Sequence, residues 1–263
     1  MPRIHVLGGM GFDSNIYLVE DDDPILVDTG TRYHLRKNLS DVGEILPLDD
    51  IDRIVLTHRH YDHTGGAAAF AERCDAEVLV HREDANALRI GDSISTGARN
   101  FDDDQERIDV SLLEEGVEIS TGSYTFLVIH TPGHTVGSIS LYEPEERILI
   151  SGDTVFTNGG IGRWDLPTGD FEQLLGSVRL LAGLEVGPLY PGHMAPVLER
   201  GSEHIQMSLR NLTHYTTEEL LLSRLQPVNV TGDELLELIR QGRLGDLRAR
   251  RRTTEIRTRF DLD

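Results

Sequence analysis

The chain is short of three residue types. Its 263 residues include one cysteine (Cys74), one lysine (Lys37) and one tryptophan (Trp164). A lone cysteine excludes an internal disulfide, and its place at the end of an Ala-rich segment reads as buried packing. No run of 18 apolar residues occurs, and residues 1–20 lack a basic start followed by an apolar stretch. These absences exclude a membrane-spanning helix and point to a soluble, cytoplasmic protein with no membrane partner. Against the single lysine stand 24 arginines, with a net charge of -20. Acid clusters at Asp21–Asp23, Asp49–Asp50 and Asp102–Asp104 are ordinarily solvated faces. With lysine so scarce they suggest halophilic adaptation to a salt-rich cytoplasm, where repulsion is screened within about 3 Å at 1 M salt.

What is present is concentrated. Thr57, His58, Arg59, His60, Tyr61, Asp62 and His63 put three imidazoles and a carboxylate into one short run. An apolar, strand-like stretch from Asp52 precedes it, and a Gly- and Ala-rich helix start from Thr64 to Phe70 follows. His58 and His60, two apart in extended chain, point the same way and can share one ion. Asp62 and His63 point away from that pair and suit a second ion. A solvated polar loop is the plain alternative, but the chain repeats the pattern. His134, Asp153 and His193 each follow an apolar run, as groups exposed at strand ends on one sheet edge would.

Five motifs taken in order resemble the metallo-beta-lactamase fold superfamily: residues 27–30 around Asp28, the His58–His63 cluster, His134, Asp153 and His193. The resemblance spans about residues 3–200. It implies an α/β fold, a metallo-beta-lactamase-type αββα sandwich at residues 1–200; the helical pattern after His193 reads as a C-terminal helical appendage at 201–263. It also implies that His58, His60 and His134 hold one ion, that Asp62, His63 and His193 hold a second, and that Asp153 bridges both. Asp28 matches a non-ligand acid that braces the metal loop; a strand-end turn is its other reading. Within residues 152–170, the segment Gly162, Arg163, Trp164 and Asp165 looks like that of the glyoxalase II branch. Arg163 and Trp164 are therefore candidate substrate contacts, although that branch carries a small residue where Trp164 stands. The alternatives are an Arg163–Asp165 ion pair and a Trp164 packing anchor.

Periodicity predicts strands at 4–6, 15–19, 25–28, 54–57 and 77–80, then at 117–120, 124–130, 138–142 and 148–150. Helices are expected at 33–45 and 171–181, and beyond His193 at 203–225, 233–240 and 244–252. The polar stretch 90–108 reads as a plain loop rather than a flap over the site. Residues 240–259 carry eight arginines, which suit either phosphate binding or contact with an acidic surface, the chain's own or that of a second copy in a homodimer. Of the histidines without motif spacing, His130 stands closest to the cluster and can support His134.

The implied ligand set uses two divalent ions about 3.5 to 4 Å apart, sharing a hydroxide made available near neutral pH. Imidazole with carboxylate suits zinc, and iron and manganese also fit. Asp62 can orient that hydroxide and accept its proton. Hydrolysis of a small thioester or related acyl compound is the leading expectation. The alternatives are a nuclease acting on RNA or DNA, and a persulfide dioxygenase with a single iron on His58, His134 and Asp153.

Overall fold

A computed structural model describes residues 3–214, and the helices expected at 233–240 and 244–252 and the arginine-rich stretch lie outside them. The chain divides into a compact unit ending at Arg210 and a second one beginning at Asn211. In the first, β1 (Arg3–Gly8), β2 (Asn15–Glu20), β3 (Ile25–Val27), β4 (Arg53–Leu56), β5 (Glu77–His81) and β6 (Ser111–Leu113) form one sheet in sequence order. β1 to β3 pair antiparallel, and β3 to β6 pair parallel. β7 (Glu118–Ser120), β8 (Thr125–His130), β9 (Ile139–Glu143), β10 (Ile148–Gly152) and β11 (Leu189–Pro191) form the other, in the order β11-β10-β9-β8-β7.

Alternation along the central strands makes the layers. Tyr17, Val19, Ile25, Val27 and Val55 join Phe126, Val128, Ile139, Leu141 and Ile150 in a core between the sheets. Their neighbours Ile16, Leu18, Leu26, Ile54 and Leu56 point the other way. There they pack on Val42 of α1 (Leu35–Gly43), Phe70 and Cys74 of α3 (Ala67–Cys74), and Leu88 of α4 (Arg82–Ile90). Strands buried on both faces read as continuous apolar runs, as these do. Two facing sheets with helices outside them are the sandwich that the resemblance implied.

Several boundaries differ from expectation, each for a local reason. The helix expected from Tyr33 begins at Leu35, because Thr31 accepts the Tyr33 N–H and closes a tighter 3-10 turn first. The helix start at 64–70 is two pieces, α2 (Tyr61–Thr64) and α3, parted by Gly65 and Gly66. A Cβ on Gly66 would meet the Thr29 carbonyl at 2.8 Å, so only glycine lets this backbone lie against the turn after β3. Within 90–108, Thr96, Ala98 and Gln105 are buried. The stretch packs on the metal-loop helix: Tyr61 N–H donates to Thr96 O at 2.8 Å, and Thr64 Oγ1 to Gln105 Oε1 at 2.9 Å. α5 (Phe171–Leu181) starts where expected and lies against the loop after β8, with Ser177 Oγ donating to Pro132 O at 2.7 Å. α6 (Gly201–His214) covers the described part of the helix expected at 203–225.

β8, β10 and β11 run in one direction because β9 lies antiparallel between the first two. Their C-terminal ends therefore reach one edge. Among the described residues no helix is long and apolar enough to cross a membrane.

Candidate metal centre

Every residue expected as a ligand follows a strand end. His58 and His60 follow β4 across a bend at residues 57–59, Asp62 and His63 ride on the short α2, His134 follows β8, Asp153 follows β10, and His193 follows β11. Their donor atoms gather in three overlapping groups, each within 4.8 Å: His58, His60 and His134; His58, His63 and Asp153; and Asp62, His63 and His193. His58 thus stands between the two expected clusters.

In the first group two of the three nitrogens that meet are bare. Thr57 Oγ1 gives its proton to Asp28 Oδ2 at 2.8 Å and so accepts from His58 Nδ1 at 3.1 Å, leaving His58 Nε2 as a lone pair. His134 Nδ1 donates to the Arg163 carbonyl at 2.7 Å, which frees His134 Nε2 in the same way. His60 Nδ1 lies 3.1 Å from the first and 2.8 Å from the second. Burial, reinforced by neighbouring imidazoles, holds His58 well below the ordinary imidazole range and brings His60 down to about 3. Three imidazole nitrogens converging on one point, two of them as lone pairs, are a cation's donor set.

The second group is acidic. Asp153 Oδ1 lies 3.3 Å from His63 Nε2, while its Oδ2 lies 3.4 Å from His134 Nε2 and 3.5 Å from His193 Nε2. One carboxylate therefore reaches both clusters. His63 Nδ1 donates to Asp28 Oδ2 at 2.8 Å, so its Nε2 also faces inward. His63 Nε2 and Asp153 Oδ1 are buried with no hydrogen-bond partner. Buried polar atoms left unpaired beside each other are costly unless a further group joins them, and a cation between them fits. Burial opposes charge on Asp153, but His63 and His193 outweigh it and hold the carboxyl low. Asp62 Oδ2 sits 3.0 Å from His193 Nε2 at the more open side, and burial there is again outweighed by His63 and His193.

The supporting residues explain why these loops hold their shape. Asp28, at φ 60°, leaves the line of β3 and accepts Thr57 N–H at 2.8 Å besides Thr57 Oγ1 and His63. Its geometry is that of a brace for the metal loop. His130 Nε2 donates to Val136 O at 2.9 Å, and its ring stacks on His81 with centroids 4.0 Å apart, steadying the loop that carries His134. Arg163 forms a two-pronged ion pair with Asp165 at 2.9 and 2.7 Å, and Trp164 meets Phe171 edge-on at 5.3 Å. What that segment gives the cluster is backbone: Arg163 O fixes His134, and a Cβ on Gly162 would stand 1.9 Å from Asp153 O.

Three supports carry no sequence signal of their own. Asp84, in the first turn of α4 and fully buried, accepts Arg59 N–H at 2.8 Å, Thr135 Oγ1 at 2.7 Å and Gly137 N–H at 3.0 Å. It joins the loop of His58 and His60 to that of His134. Asn15 and Tyr17, on β2, bind the loop of His193.

Residues 9–193 match the family model for the metallo-beta-lactamase superfamily. The chain belongs to that superfamily. A probable metallo-hydrolase of Methanocaldococcus jannaschii is 37% identical over 194 residues, spanning 71% of this chain and 90% of its own length. A hydroxyacylglutathione hydrolase of Haemophilus influenzae is 31% identical over 184 residues, 67% of this chain and 82% of that one. The crystal structure of TTHA1623 in a di-iron-bound form matches with a TM-score of 0.61 and 30% identity, over 80% of this chain and 96% of that chain. This metallo-beta-lactamase superfamily chain is accordingly an enzyme, a metal-dependent hydrolase.

Proposed function

We propose that the chain is a two-metal hydrolase of small thioesters or related acyl compounds. The observation that carries the two-metal reading is the unpaired meeting of His63 Nε2 and Asp153 Oδ1, with Asp153 reaching both histidine clusters. His58, His60 and His134 would hold one ion, and Asp62, His63 and His193 the other, with Asp153 between them. Zinc suits these donors; the di-iron form of the similar TTHA1623 supports iron as well. Bound there, a pair of divalent ions supplies an acidified water as nucleophile and polarises the substrate carbonyl.

The chain's own part is positioning and proton handling. Asp62, on the open side of the cluster and 3.0 Å from His193 Nε2, is placed to take the proton of the attacking water. Water oxygen bonds to the acyl carbon, the carbon–sulfur bond breaks, and the proton ends on the departing sulfur. Arg163 borders His134 through its carbonyl, and Arg163 and the adjoining Trp164 would contact the substrate from that rim. The acyl reading rests on residues 162–165 and on the hydroxyacylglutathione hydrolase at 31% identity. A cytoplasmic, salt-rich setting belongs to the same proposal, on the strength of the -20 net charge and single lysine.

A substrate panel in molar salt tests this reading. S-acylglutathione and acyl-coenzyme A esters should be hydrolysed in preference to lactone, RNA and glutathione persulfide. RNA cleavage without thioester turnover would overturn it in favour of the nuclease. Oxygen consumption on persulfide with one iron per chain would overturn it in favour of the dioxygenase.

A further inference from the structure

We infer that Asn15 is the positioning residue for His193, and that it sets the affinity of the cluster of Asp62, His63 and His193 without setting that of the three-histidine cluster. The inference rests on the two-metal reading above.

His193 lies in the turn between β11 and the single bridge by which Val197 returns to Leu189, outside any helix or strand. Met194, directly after it, sits at φ 72°, a conformation that a side-chain-bearing residue keeps only when its surroundings impose it. Those surroundings come from the start of β2, in the other sheet. Asn15 Nδ2 donates to Pro191 O at 2.9 Å and to Met194 O at 2.7 Å, so one amide grips the chain on both sides of His193. The backbone N–H of Asn15 donates to Gly192 O at 2.7 Å, between those two points. The Tyr17 hydroxyl adds a second bond to Pro191 O and accepts from Asn15 Nδ2 at 3.1 Å. Burial holds the Tyr17 phenol well above its ordinary range, so it stays a donor.

The arrangement is selective. Among the described residues, the side chains of Asn15 and Tyr17 hydrogen-bond to each other and to the loop of His193, and not to the loops of His58, His60 or His134, which Asp28 and Asp84 fix from elsewhere. Gly192 completes it, since a Cβ there would lie 2.1 Å from Asp153 Oδ1 and force the loop away from the cluster. Removing the Asn15 amide while keeping its backbone N–H should let His193 swing while His63 and Asp62 stay put. Two of three protein donors would remain on the second ion besides Asp153.

The test is zinc titration of the chelator-treated protein against a competing chromophoric chelator, giving two stepwise dissociation constants for the parent, Asn15→Ala and Tyr17→Phe. Asn15→Ala should weaken the second ion about 10- to 100-fold, the range seen when a residue orienting a ligand is lost, and leave the first within about threefold. Tyr17→Phe should act in the same direction by a smaller factor, and it carries the test alone if the alanine variant does not fold. Cobalt substitution adds a spectroscopic readout: the absorption of the second cobalt should change while that of the first is kept. A second-ion affinity unchanged in both variants, or equal weakening of both ions, would overturn the inference. A parent that binds a single ion would overturn it together with the two-metal reading.

Discussion

Arg59 and Asp84 form a buried ion pair: Arg59 is 7% exposed and Asp84 0%. Arg59 Nε and Nη2 both lie 2.7 Å from Asp84 Oδ1. The arginine sits between His58 and His60, so the pair is built into the metal loop itself. Its carboxylate also takes Thr135 and Gly137, next to His134. A Cβ on Gly137 would stand 2.5 Å from Asp84 Cγ, which explains the glycine.

Asp84→Ala should lower unfolding stability by about 3 to 5 kcal/mol, because it leaves a buried guanidinium unpaired. Adding Arg59→Met removes that charge and should recover part of the loss. Zinc affinity at the three-histidine cluster should stay reduced in the double variant, since Thr135 and Gly137 still lack their acceptor. Urea unfolding with zinc titration checks both parts.

Asp28→Asn should weaken metal binding about 10- to 100-fold while the fold is kept. The amide preserves the shape, but one of its two ends can no longer accept from Thr57 or His63. Competition titration reads the loss.

Cys74 should be irrelevant to turnover. It is buried in the core beside α1 and the sheet, and burial pushes its thiol up to about 11. Cys74→Ser should leave turnover within about threefold of the parent, and thiol reagents should label the folded protein slowly. A steady-state assay and a labelling time course check this.

Stability of the metal-free protein should depend on pH in both directions. His58 and His60 have lowered values in the folded state, from burial and then neighbouring imidazoles. The unfolded chain takes up protons near about pH 6.5 that these residues refuse, so their contribution is full above that pH and lost as pH falls. His63 runs the other way. Burial opposes its charge, but Asp153, Asp28 and Asp62 prevail and raise its value, so its contribution is full below about pH 6.5 and lost as pH rises. Thermal melts of chelated protein across pH should show a maximum near neutrality. Zinc should remove the alkaline decline, because a cation then takes over the carboxylates' partner.

Much of this architecture was legible in the sequence. Continuous apolar runs marked β2 and β4, and the seven candidate ligand positions stood out because donor residues recurred after such runs. Asp28 and His130 were legible as supports, but Asp84, Asn15 and Tyr17 were not, for a physical reason. Asp84 lies in a helix whose other residues make an ordinary amphipathic pattern, and its partners sit 25 to 53 residues away in sequence. Asn15 acts across 176 residues. A single sequence records local pattern, whereas such contacts exist only once two sheets face each other. The segment 90–108 is largely loop, and what the sequence did not show is that Asp103 and Gln105 within it bond to Tyr61, Arg32 and Thr64.

Metal content tests the central claim most directly. Purified without chelator, the parent should carry close to two equivalents of transition metal per chain by elemental analysis, and Asp153→Ala close to none, since one carboxylate serves both clusters. One equivalent in the parent, or two retained after loss of Asp153, would contradict a two-ion centre bridged by that residue.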